Sequence, residues 1–534
     1  MVNVADLVAR RLYESGCRHA YGIPGGEVLA LIEGLRRAGI EFGLAKHENA
    51  AGFMAEGGYH ADGAPGILVA TVGPGAASAS NVIANAHQDR VPLIVLTGCA
   101  DAEMTMTYTH QVFDHRALMA PITKTGFTLT AGAADATIDK AVSIALDDPP
   151  GPVHIDVPIS VAGAECKAVQ ATRRSQPRRG APCGPDLDTA RAWLEQSLRP
   201  IMLAGVDVLN HRAEEVTREF VLRFGVPLIT TYKAKGLLPE SHELSLGGAG
   251  LSQKADEYLL PLIADSDLVL LAGYDPIEMR AGWCNPWPAG KRVAEFCAVP
   301  NTHYVHQAEL SFVGDVGLGL AALGDSVSPH PTWPAGEFAM VRQDLRDAFD
   351  AGGQWGPAAV VQIARRVLPE RTVATVDTGA HRILLSQLWE CYEPRTLLQS
   401  SGLCTMGCAL PLATGYKIGR PDSPVVAFTG DAGLEMVLGE LATLRDTGLP
   451  VIVIVFIDES LALIEMKQRS SGYSNTGVDF GATDFIGVGK AMSMHSAWVE
   501  DKEELESELQ AALARSQSSL IACRVGPRPY DGKI

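Results

Sequence analysis

Strand-length runs of Val, Ile and Leu alternate with helical segments along almost the whole chain, and this alternation restricts the possible fold most strongly. Eight such runs stand out: residues 66–72, 92–98, 152–158, 200–207, 268–275, 372–379, 424–431 and 450–458. Continuous apolar strands separated by helices are typical of parallel sheets covered by helices on both faces. The sequence therefore predicts an α/β protein built from doubly wound parallel sheets, with ligands bound beyond the carboxyl ends of the strands.

Two Pro-rich stretches without hydrophobic periodicity interrupt the alternation. The first covers residues 166–186, and the second covers 326–338 together with the polar segment 348–357. We interpret both as linkers. They divide the 534 residues into three predicted domains of ordinary size, which are 1–165, 185–330 and 350–534.

Charge and composition argue against several classes of function. The formal charge of −18 disfavours nucleic acid as a partner, because nucleic-acid-binding proteins present basic faces. The apolar runs are strand-length and too short to cross a bilayer, and the N-terminal residues predict an amphipathic helix rather than a signal peptide. The ten cysteines show no CxxC pair and no zinc spacing, so we expect buried, reduced thiols in a cytoplasmic protein.

A Gly-Asp-Ala-Gly turn follows the strand "VVAFTG" and is the first candidate for chemistry. Asp431 lies in this turn, a helix is predicted to begin near Leu434, and Asp458 ends the next strand. Neighbouring parallel strands end at one edge of a sheet, so the two carboxylates are expected to lie together. Free N–H groups in the turn favour a phosphate, and Mg²⁺ takes oxygen ligands from few protein groups. On pattern alone, roles in turns or helix caps explain both Asp residues at least as well.

Seven further segments turn this local pattern into a family resemblance. They are "AYGIPGGEVL" (20–29), "KHENAAGFMAEGGYHADG" (46–63), "TVGPGAASASN" (71–81), "PLIVLTG" (92–98), "PITKTG" (121–126), "DTGAHRILLSQLW" (377–389) and "SSGLCTMGCALPLATG" (400–415). With the GDAG turn, their order resembles that of thiamine diphosphate (ThDP) enzymes, in particular the acetolactate synthase group. The resemblance implies a pyrimidine-binding domain, a central domain and a diphosphate-binding domain, in that order.

The resemblance also implies a set of metal and cofactor contacts. Asp431, Asp458 and the carbonyl of Ser460 correspond to Mg²⁺ ligands, and Asp458 stands where the family usually has Asn. Met406 corresponds to the large apolar residue beneath the cofactor, and filling of the protein core is the alternative. The other cofactor contacts implied by the resemblance are Pro74, Gly379, His381, Gly430, Ala432 and Gly433.

Glu48 corresponds to the family's glutamate that hydrogen-bonds to the aminopyrimidine ring and promotes removal of the C2 proton. Without the resemblance, a Glu near a helix start is usually a partner of the helix dipole. Glu48 lies in the first predicted domain and the metal site in the third. In the family these belong to different subunits, so the resemblance implies self-association into a dimer or tetramer with active sites at the interface.

The implied reaction is decarboxylation of a 2-oxo acid followed by addition to a second carbonyl, as in acetolactate synthases. Gln111 corresponds to a residue near the reacting centre, and the adjacent His110 either assists proton transfer or is a surface residue. Lys467 stands where the resemblance places an aromatic residue of acetohydroxyacid synthases. A cation there suggests a substrate with an acidic group, and an ordinary exposed lysine on a helix is the alternative. Residues 271–287 lack the Asp-Asp-Arg pattern of flavin-containing synthases, so FAD is not expected.

Three other functions stay open from the sequence. A decarboxylase of a 2-oxo acid would release an aldehyde instead of joining two carbonyl compounds. A dinucleotide-dependent oxidoreductase would use the glycine-rich turn in "TVGPG", although GxGxxG and a ribose-binding acid are not evident. A regulator without catalysis would bind the cofactor but not turn over, which the retained Glu48, Asp431 and Asp458 argue against.

Overall fold

Three six-stranded sheets form the framework of the protein in a computed structural model that describes residues 2–166 and 179–534. Every neighbouring pair of strands within these three sheets is parallel. The predicted α/β class with three doubly wound parallel sheets is therefore confirmed. Among the described residues, no helix is both long and apolar enough to cross a membrane.

The first sheet has the strand order β3-β2-β4-β5-β7-β6, and a separate antiparallel pair joins β1 to β8. The strands are β1 (Val2–Asn3), β2 (His19–Gly22), β3 (Glu41–Leu44), β4 (Gly66–Ala70), β5 (Leu93–Cys99), β6 (Thr125–Thr128), β7 (Val153–Pro158) and β8 (Glu165–Cys166). The helices are α1 (Val4–Glu14), α2 (Leu29–Ala38), α3 (Glu48–Asp62), α4 (Pro74–Ser78), α5 (Ser80–Gln88), α6 (His115–Met119), α7 (Ala134–Leu146) and α8 (Ile159–Gly163). The predicted amphipathic helix is α1, and its apolar face is buried.

The second sheet has the order β11-β10-β9-β12-β13-β14. Its strands are β9 (Pro200–Ala204), β10 (Leu228–Thr231), β11 (Ser245–Ala249), β12 (Leu268–Ala272), β13 (Arg292–Cys297) and β14 (Leu310–Val313). Its helices are α9 (Pro185–Gln196), α10 (Val206–Asn210), α11 (Glu214–Phe224), α12 (Gln253–Asp265) and α13 (Val316–Gly324).

The third sheet has the order β16-β15-β17-β18-β20-β19. Its strands are β15 (Val373–Val376), β16 (Leu397–Gln399), β17 (Val425–Gly430), β18 (Ile452–Ile457), β19 (His495–Val499) and β20 (Ser519–Arg524). The helices from here to the C-terminus are α14 (Glu337–Phe349), α15 (Pro357–Val367), α16 (Ala380–Leu388), α17 (Ala409–Gly419), α18 (Asp431–Met436), α19 (Glu440–Thr447), α20 (Ala462–Ser470), α21 (Phe485–Ala491) and α22 (Lys502–Ala514). Short 3-10 turns cover Gly26–Val28, Met104–Met106, Ala120–Ile122, Tyr232–Ala234 and Ala281–Trp283.

The strand order of the third sheet creates a crevice between β15 and β17. The chain leaves β15 toward one edge of the sheet and leaves β17 toward the other, which is where ligands bind in such sheets. Gly379 and His381 follow β15, and Asp431 follows β17. The neighbouring strand β18 runs in register with β17, Gly430 opposite Phe456, so Asp431 and Asp458 leave the same sheet edge.

The helix after β17 differs from its prediction. It begins at Asp431 itself rather than near Leu434, and it ends at Met436 before α19 begins at Glu440. Gly439 lies between the two helices and disfavours continuation. The Glu440 carboxylate then accepts a hydrogen bond from Lys46 N at 2.9 Å, so α19 is held by the first domain.

The second predicted linker is wrong in part, because helix α14 (Glu337–Phe349) lies between its two segments and includes their adjoining ends. The Trp333 side chain is 2% exposed, and its Nε1 donates to the Pro200 carbonyl at 2.7 Å. This segment therefore packs on the central sheet, and its prolines conceal it from periodicity. Residues 167–178, inside the first predicted linker, lie outside the described residues. The domain boundaries themselves stay a prediction.

All ten cysteines are free thiols. Six are buried, which agrees with the prediction, but Cys183 and Cys284 are exposed. Both exposed cysteines lie in connecting segments outside the regular strands and helices, where no sheet covers them.

Candidate active site

Two carboxylates lie side by side at the ends of β17 and β18. The Asp431 side chain is 3% exposed, and its Oδ2 accepts from the N–H groups of Asp458 and Glu459 at 3.1 and 2.7 Å. Burial raises the pKa of Asp431, although backbone hydrogen bonds oppose the rise. Burial and the negative charge of Asp431 raise the pKa of Asp458 to about 7. Adjacent buried carboxylates of this kind are stabilised by a bound cation.

Further oxygen ligands for such a cation have to come from groups other than additional acidic, His or Cys side chains. Within residues 2–166 and 179–534, no group of three or more His, Cys, Asp or Glu side chains is arranged to hold a metal ion. The Ser460 hydroxyl donates to Asp479 Oδ1 at 2.8 Å, and Ser460 N donates to Asp458 Oδ1 at 3.2 Å. Two carboxylates suit Mg²⁺, which takes few ligands from protein, and backbone carbonyls, water and phosphate oxygens would complete its coordination.

His381 lies at the crevice between β15 and β17. Its ring stacks on Phe456 with centroids 5.3 Å apart, and a Cβ at Gly379 would lie only 2.6 Å from His381 Cε1. A Cβ at Gly430 would lie 3.2 Å from the same atom, so both glycines leave room for the ring. Burial lowers the pKa of His381 to about 4, and its Nε2 is buried without a hydrogen-bond partner. The role of His381 as a diphosphate contact stays a prediction.

Asp377, which the sequence reasoning did not select, holds the neighbouring turns together. Its side chain is fully buried, and burial raises its pKa. It accepts four hydrogen bonds of 2.8–3.2 Å, from the N–H groups of Thr378, Gly407 and Cys408 and from the Thr429 hydroxyl. Met406, half-buried, directly precedes Gly407. Asp377 follows the strand "TVATV" as Asp431 follows β17, so the same strand-exit pattern identifies it.

The first domain brings Glu48, Pro74 and Gln111 to one turn. Glu48 is the first residue of α3 and is 8% exposed, and a Cβ at Gly75 would lie 3.3 Å from its Oε1. Gly73 has φ 69°, and a Cβ there would lie 2.4 Å from the Gln111 carbonyl oxygen. Within the described residues, the Glu48 carboxylate forms no ion pair. The turn therefore presents a buried acid next to the Gln111 backbone.

His110 and Lys467 are both exposed, whereas His115, which the sequence reasoning did not select, contacts that turn. His110 is exposed and contacts the Tyr108 ring, with centroids 6.2 Å apart. His115 Nε2 instead accepts from Gly73 N at 3.1 Å, and His115 Nδ1 pairs with Asp156 Oδ1 at 2.9 Å. His115 and Asp156 thus orient the turn, and no sequence pattern connects them. Lys467 is an exposed residue of α20.

A cavity of about 510 Å³ opens beside Asp458. Helix α20 contributes Ala462, Glu465 and Met466 to its wall, and Lys467 does not line it. Its charged lining residues are Asp458, Glu459, Glu465, Asp479 and Arg528. Carboxylates therefore outnumber cations in this wall, and Glu465 already pairs with Arg469 at 3.0 Å.

The crevice of the central sheet, between β9 and β12, is filled by the protein itself. A Cβ at Gly205 would lie 2.5 Å from the Gly273 carbonyl oxygen, so the turns after the two strands are in contact. Arg90 of the first domain forms ion pairs with Asp207 and Asp275 at the same place. The expected absence of FAD stays a prediction.

Three protein-family profiles match the chain. The "Thiamine pyrophosphate enzyme, N-terminal TPP binding domain" matches residues 2–118, the "central domain" of the same enzymes residues 187–323, and the "C-terminal TPP binding domain" residues 377–523. The three profiles follow one another in the order of the three sheets.

Curated relatives match over nearly full length. The chain is 28% identical to the acetolactate synthase isozyme 1 large subunit of Escherichia coli (strain K12), over 98% of this chain and 93% of the relative. It is 27% identical to acetolactate synthase of Bacillus subtilis (strain 168), over 95% and 90%. It is 29% identical to the probable 2-ketoarginine decarboxylase AruI of Pseudomonas aeruginosa, over 98% and 94%.

Proposed function

The chain belongs to the thiamine pyrophosphate enzyme family, and we propose that it decarboxylates a pyruvate-like 2-oxo acid with ThDP and Mg²⁺ and joins the product to a second carbonyl. The observation that carries this proposal is the carboxylate pair Asp431 and Asp458, which lies at the sheet edge beside His381. Similarity to acetolactate synthases over nearly the whole chain supports the carboligation step.

Residues of the third domain would hold the cofactor. Asp431, Asp458 and the Ser460 carbonyl would bind Mg²⁺, and Met406 would pack against the cofactor rings. The diphosphate would lie on Gly379, His381, Gly430, Ala432 and Gly433. When bound, ThDP supplies a carbon nucleophile that attacks the 2-oxo carbonyl and accepts the electrons released with CO₂.

Residues of the first domain would manage protons and substrate. Glu48 is a buried carboxylate without an ion-pair partner among the described residues, which suits proton exchange with a pyrimidine nitrogen. Pro74 and Gln111 lie at the same turn and would face the cofactor and the reacting carbonyl. His110 is exposed in one chain, so it would act only where a second subunit covers it.

We propose a homodimer, or a tetramer of two dimers, as the active assembly. Large apolar side chains are exposed in both domains that contribute to the site, among them Leu29 (58%) and Met106 (84%) in the first domain and Met436 (65%) and Tyr473 (73%) in the third. Exposed apolar residues on this scale favour a protein interface. A second copy of the chain would cover them and bring Glu48 of one subunit to Asp431 of the other.

We also propose that the enzyme works without FAD. The contact between the turns at Gly205 and Gly273 and the ion pairs of Arg90 support this, because they fill the central crevice. The cytoplasmic location that the cysteine pattern suggests stays a prediction. Absorbance of the purified protein between 350 and 500 nm, where flavins absorb, tests the absence of FAD.

Carbon dioxide release tests the main proposal. The chain is incubated with a panel of 2-oxo acids, with and without ThDP and Mg²⁺, and the products are identified. We expect CO₂ only with both cofactors, and acetolactate from pyruvate. Absence of CO₂ from every 2-oxo acid, together with no change in thermal unfolding on adding ThDP and Mg²⁺, would contradict it.

A decarboxylase that releases an aldehyde is the second candidate. The similarity to a probable 2-ketoarginine decarboxylase favours it, and the excess of carboxylates around the cavity at Asp458 suits a 2-oxo acid with a cationic end. Binding of an acidic substrate by Lys467 stays a prediction. The carboxylates that line the cavity at Asp458 do not favour it. Including cationic, neutral and acidic 2-oxo acids in the panel separates the three substrate classes, and an aldehyde product separates this reaction from carboligation.

A further inference from the structure

A second cavity, of about 520 Å³, opens between the central and third sheets. Its wall is formed by β11, α14, α15 and the C-terminal end of α16, and it shares no residue with the predicted metal and cofactor site. Its size is that of pockets for small organic ligands, which occur preferentially between domains.

Four arginines line this interdomain cavity, and two of them have no carboxylate within ion-pair distance among the described residues. Arg366 pairs with Glu506 at 2.6 Å, and Arg346 lies 3.6 Å from Glu390. Among the described residues, Arg342 and Arg365 form no ion pair. Arg342 donates through Nη2 to the Ser241 carbonyl at 2.6 Å, and Arg365 donates to the carbonyls of Leu368 and Pro369 at 3.1 and 2.6 Å. The Nε atoms of both are buried without a hydrogen-bond partner.

The wall also contains four carboxylates, but among the described residues none of them forms an ion pair with Arg342 or Arg365. Glu240 is paired with Lys235 at 2.8 Å, and Glu390 is paired with Arg346 at 3.6 Å. The charge of Glu390 also acts on Arg342 and Arg365 from further away, together with Glu243 on Arg342 and Glu370 on Arg365. The two aspartates of the wall, Asp347 and Asp350, accept from Gln343 and Gln362 at 2.8 and 3.0 Å. Burial lowers the pKa of Arg342 and of Arg365, and the charge of Arg346 lowers that of Arg342 further. A bound anion would relieve both effects.

The rest of the wall is suited to an apolar group. Leu345 and Phe349 are 9% and 2% exposed and line the cavity from α14. Arg365 lies over the Trp389 ring at 4.5 Å and near the Tyr392 ring at 5.4 Å, which holds its guanidinium plane in place. Half-buried guanidinium groups beside aromatic and aliphatic walls can bind the anionic group of an organic molecule while the walls contact its apolar part.

We propose that the interdomain cavity is a binding site for a small organic anion, with its carboxylate or phosphate on Arg342 and Arg365 and its apolar part on Leu345 and Phe349. The site does not depend on the reaction proposed above. Helix α16 connects the two places, because it begins beside Gly379 and ends at Leu388 in the cavity wall, about 13 Å along its axis. A ligand bound in this cavity would contact the helix that carries His381, and through this helix it would act on the active site as an effector.

Calorimetric titration of the chain, with saturating ThDP and Mg²⁺ so that other phosphate sites are filled, tests this proposal. The probes are phenyl phosphate and 3-phenylpropanoate, with inorganic phosphate and phenol as partial probes. We expect one site per chain for the phosphate or the carboxylate, and binding at least about tenfold stronger than for either partial probe. Which of the two organic anions binds more tightly identifies the anionic group.

Variants of the arginines decide whether the heat comes from this cavity. Arg342→Gln is expected to weaken binding at least about tenfold, whereas Arg366→Gln, which lines the same cavity but is already paired with Glu506, should change it less than about twofold. Arg365→Lys keeps the positive charge but removes the planar guanidinium that stacks on Trp389, so it separates the effect of charge from that of stacking. The proposal is overturned if neither organic anion binds, if Arg342→Gln binds like the unchanged chain, or if both variants weaken binding equally.

Discussion

Asp431 and Asp458 have different surroundings although they share one sheet edge. Asp431 accepts backbone hydrogen bonds from three residues, so its carboxylate shapes the exits of both strands. Asp458 accepts one backbone hydrogen bond, from Ser460 N. Burial disfavours the negative charge of its side chain and so raises its pKa. An amide oxygen at position 458 would therefore serve as a metal ligand without the second negative charge.

Removal of the first carboxylate is expected to prevent cofactor binding. Asp431→Ala should weaken ThDP binding in the presence of Mg²⁺ by at least about 100-fold, whereas Asp458→Asn should stay within about tenfold of the unchanged chain. Calorimetric titration with ThDP measures both. Glu459→Gln is the matched control, because this exposed side chain lies beside the pair and contributes only its N–H group. Unchanged affinity in Asp431→Ala would refute the metal site.

Glu56 of α3 makes stability depend on pH. Its side chain is 1% exposed, and burial raises its pKa to about 8 despite the opposing charge of Lys233. The folded chain therefore keeps a proton on Glu56 up to about pH 8, whereas the unfolded chain loses it near pH 4.5. Its contribution to stability is complete below the unfolded pKa and is lost as pH rises toward 8.

Replacement of Glu56 by Gln is expected to remove this dependence. Gln keeps an oxygen that can accept from Asn85 Nδ2, which lies 3.3 Å from Glu56 Oε2, and it carries no charge at any pH. The midpoint of thermal unfolding of Glu56→Gln should rise relative to the unchanged chain as pH increases from 5 to 8. Glu503→Gln, on the exposed start of α22, is the control. A constant difference across this range would contradict the assigned protonation.

At the scale of elements, the apolar runs identify eight interior strands of the three sheets and miss all the edge strands and some interior ones. Each of the eight runs overlaps an observed strand, and most of the strands are shorter than their runs because the runs include the turn that follows. The edge strand β3 is short and partly exposed, and the interior strand β13 contains Arg292 and Glu295, so neither shows a continuous apolar run. Pattern reasoning follows burial on both faces, which edge strands lack.

The candidate site was predictable to the extent that it lies at strand exits. Asp431, Asp458 and the residues after β15 follow strands that the apolar runs identify. Contacts between distant segments, such as Gly73 with Gln111 or Gly433 with Asp377, were not predictable from the sequence, because they depend on how loops meet in space. The packing of α14 was missed for the same reason, since Trp333 binds a strand more than a hundred residues earlier.

Gly433 tests one of these contacts between elements. A Cβ at this position would lie 2.1 Å from Asp377 Oδ2, in the first turns of α18. Gly433→Ala should therefore displace the turn around Asp377, destabilise the chain by about 1–3 kcal/mol and weaken ThDP binding. Gly481→Ala has open space around its Cβ and should leave both unchanged. Chemical unfolding and ThDP titration measure the pair, and equal behaviour of the two variants would contradict the close contact.

At the scale of the whole molecule, the first domain supports the cofactor loop of the third domain within the same chain. Asn81 accepts from the Thr405 hydroxyl at 2.9 Å, Asn85 from the Ser400 hydroxyl at 2.6 Å, and Asp89 from Ser401 N at 3.0 Å. These bonds come from α5 and the residue after it, on the far side of the helix pair α3 and α17. Among the described residues, no hydrogen bond joins Glu48 to Asp431 or Asp458.

Combining two inactive variants tests whether these groups meet across a dimer. Glu48→Gln should bind ThDP almost normally but lose turnover, and Asp431→Ala should lose binding. The two chains are co-expressed with different affinity tags, and dimers that carry both tags are isolated. If each site takes Glu48 from one chain and Asp431 from the other, one of the two sites in such a dimer is intact.

Mixed dimers are therefore expected to recover about half of the activity of the unchanged dimer, because symmetry gives each dimer two equivalent sites. Dimers that carry both tags on copies of one variant are the control and should stay inactive. If both groups of a site came from the same chain, every site in the mixed dimer would lack one of them. Mixed dimers as inactive as the controls would then show that Glu48 and Asp431 do not act across subunits, while recovered activity assigns them to opposite sides of one interface.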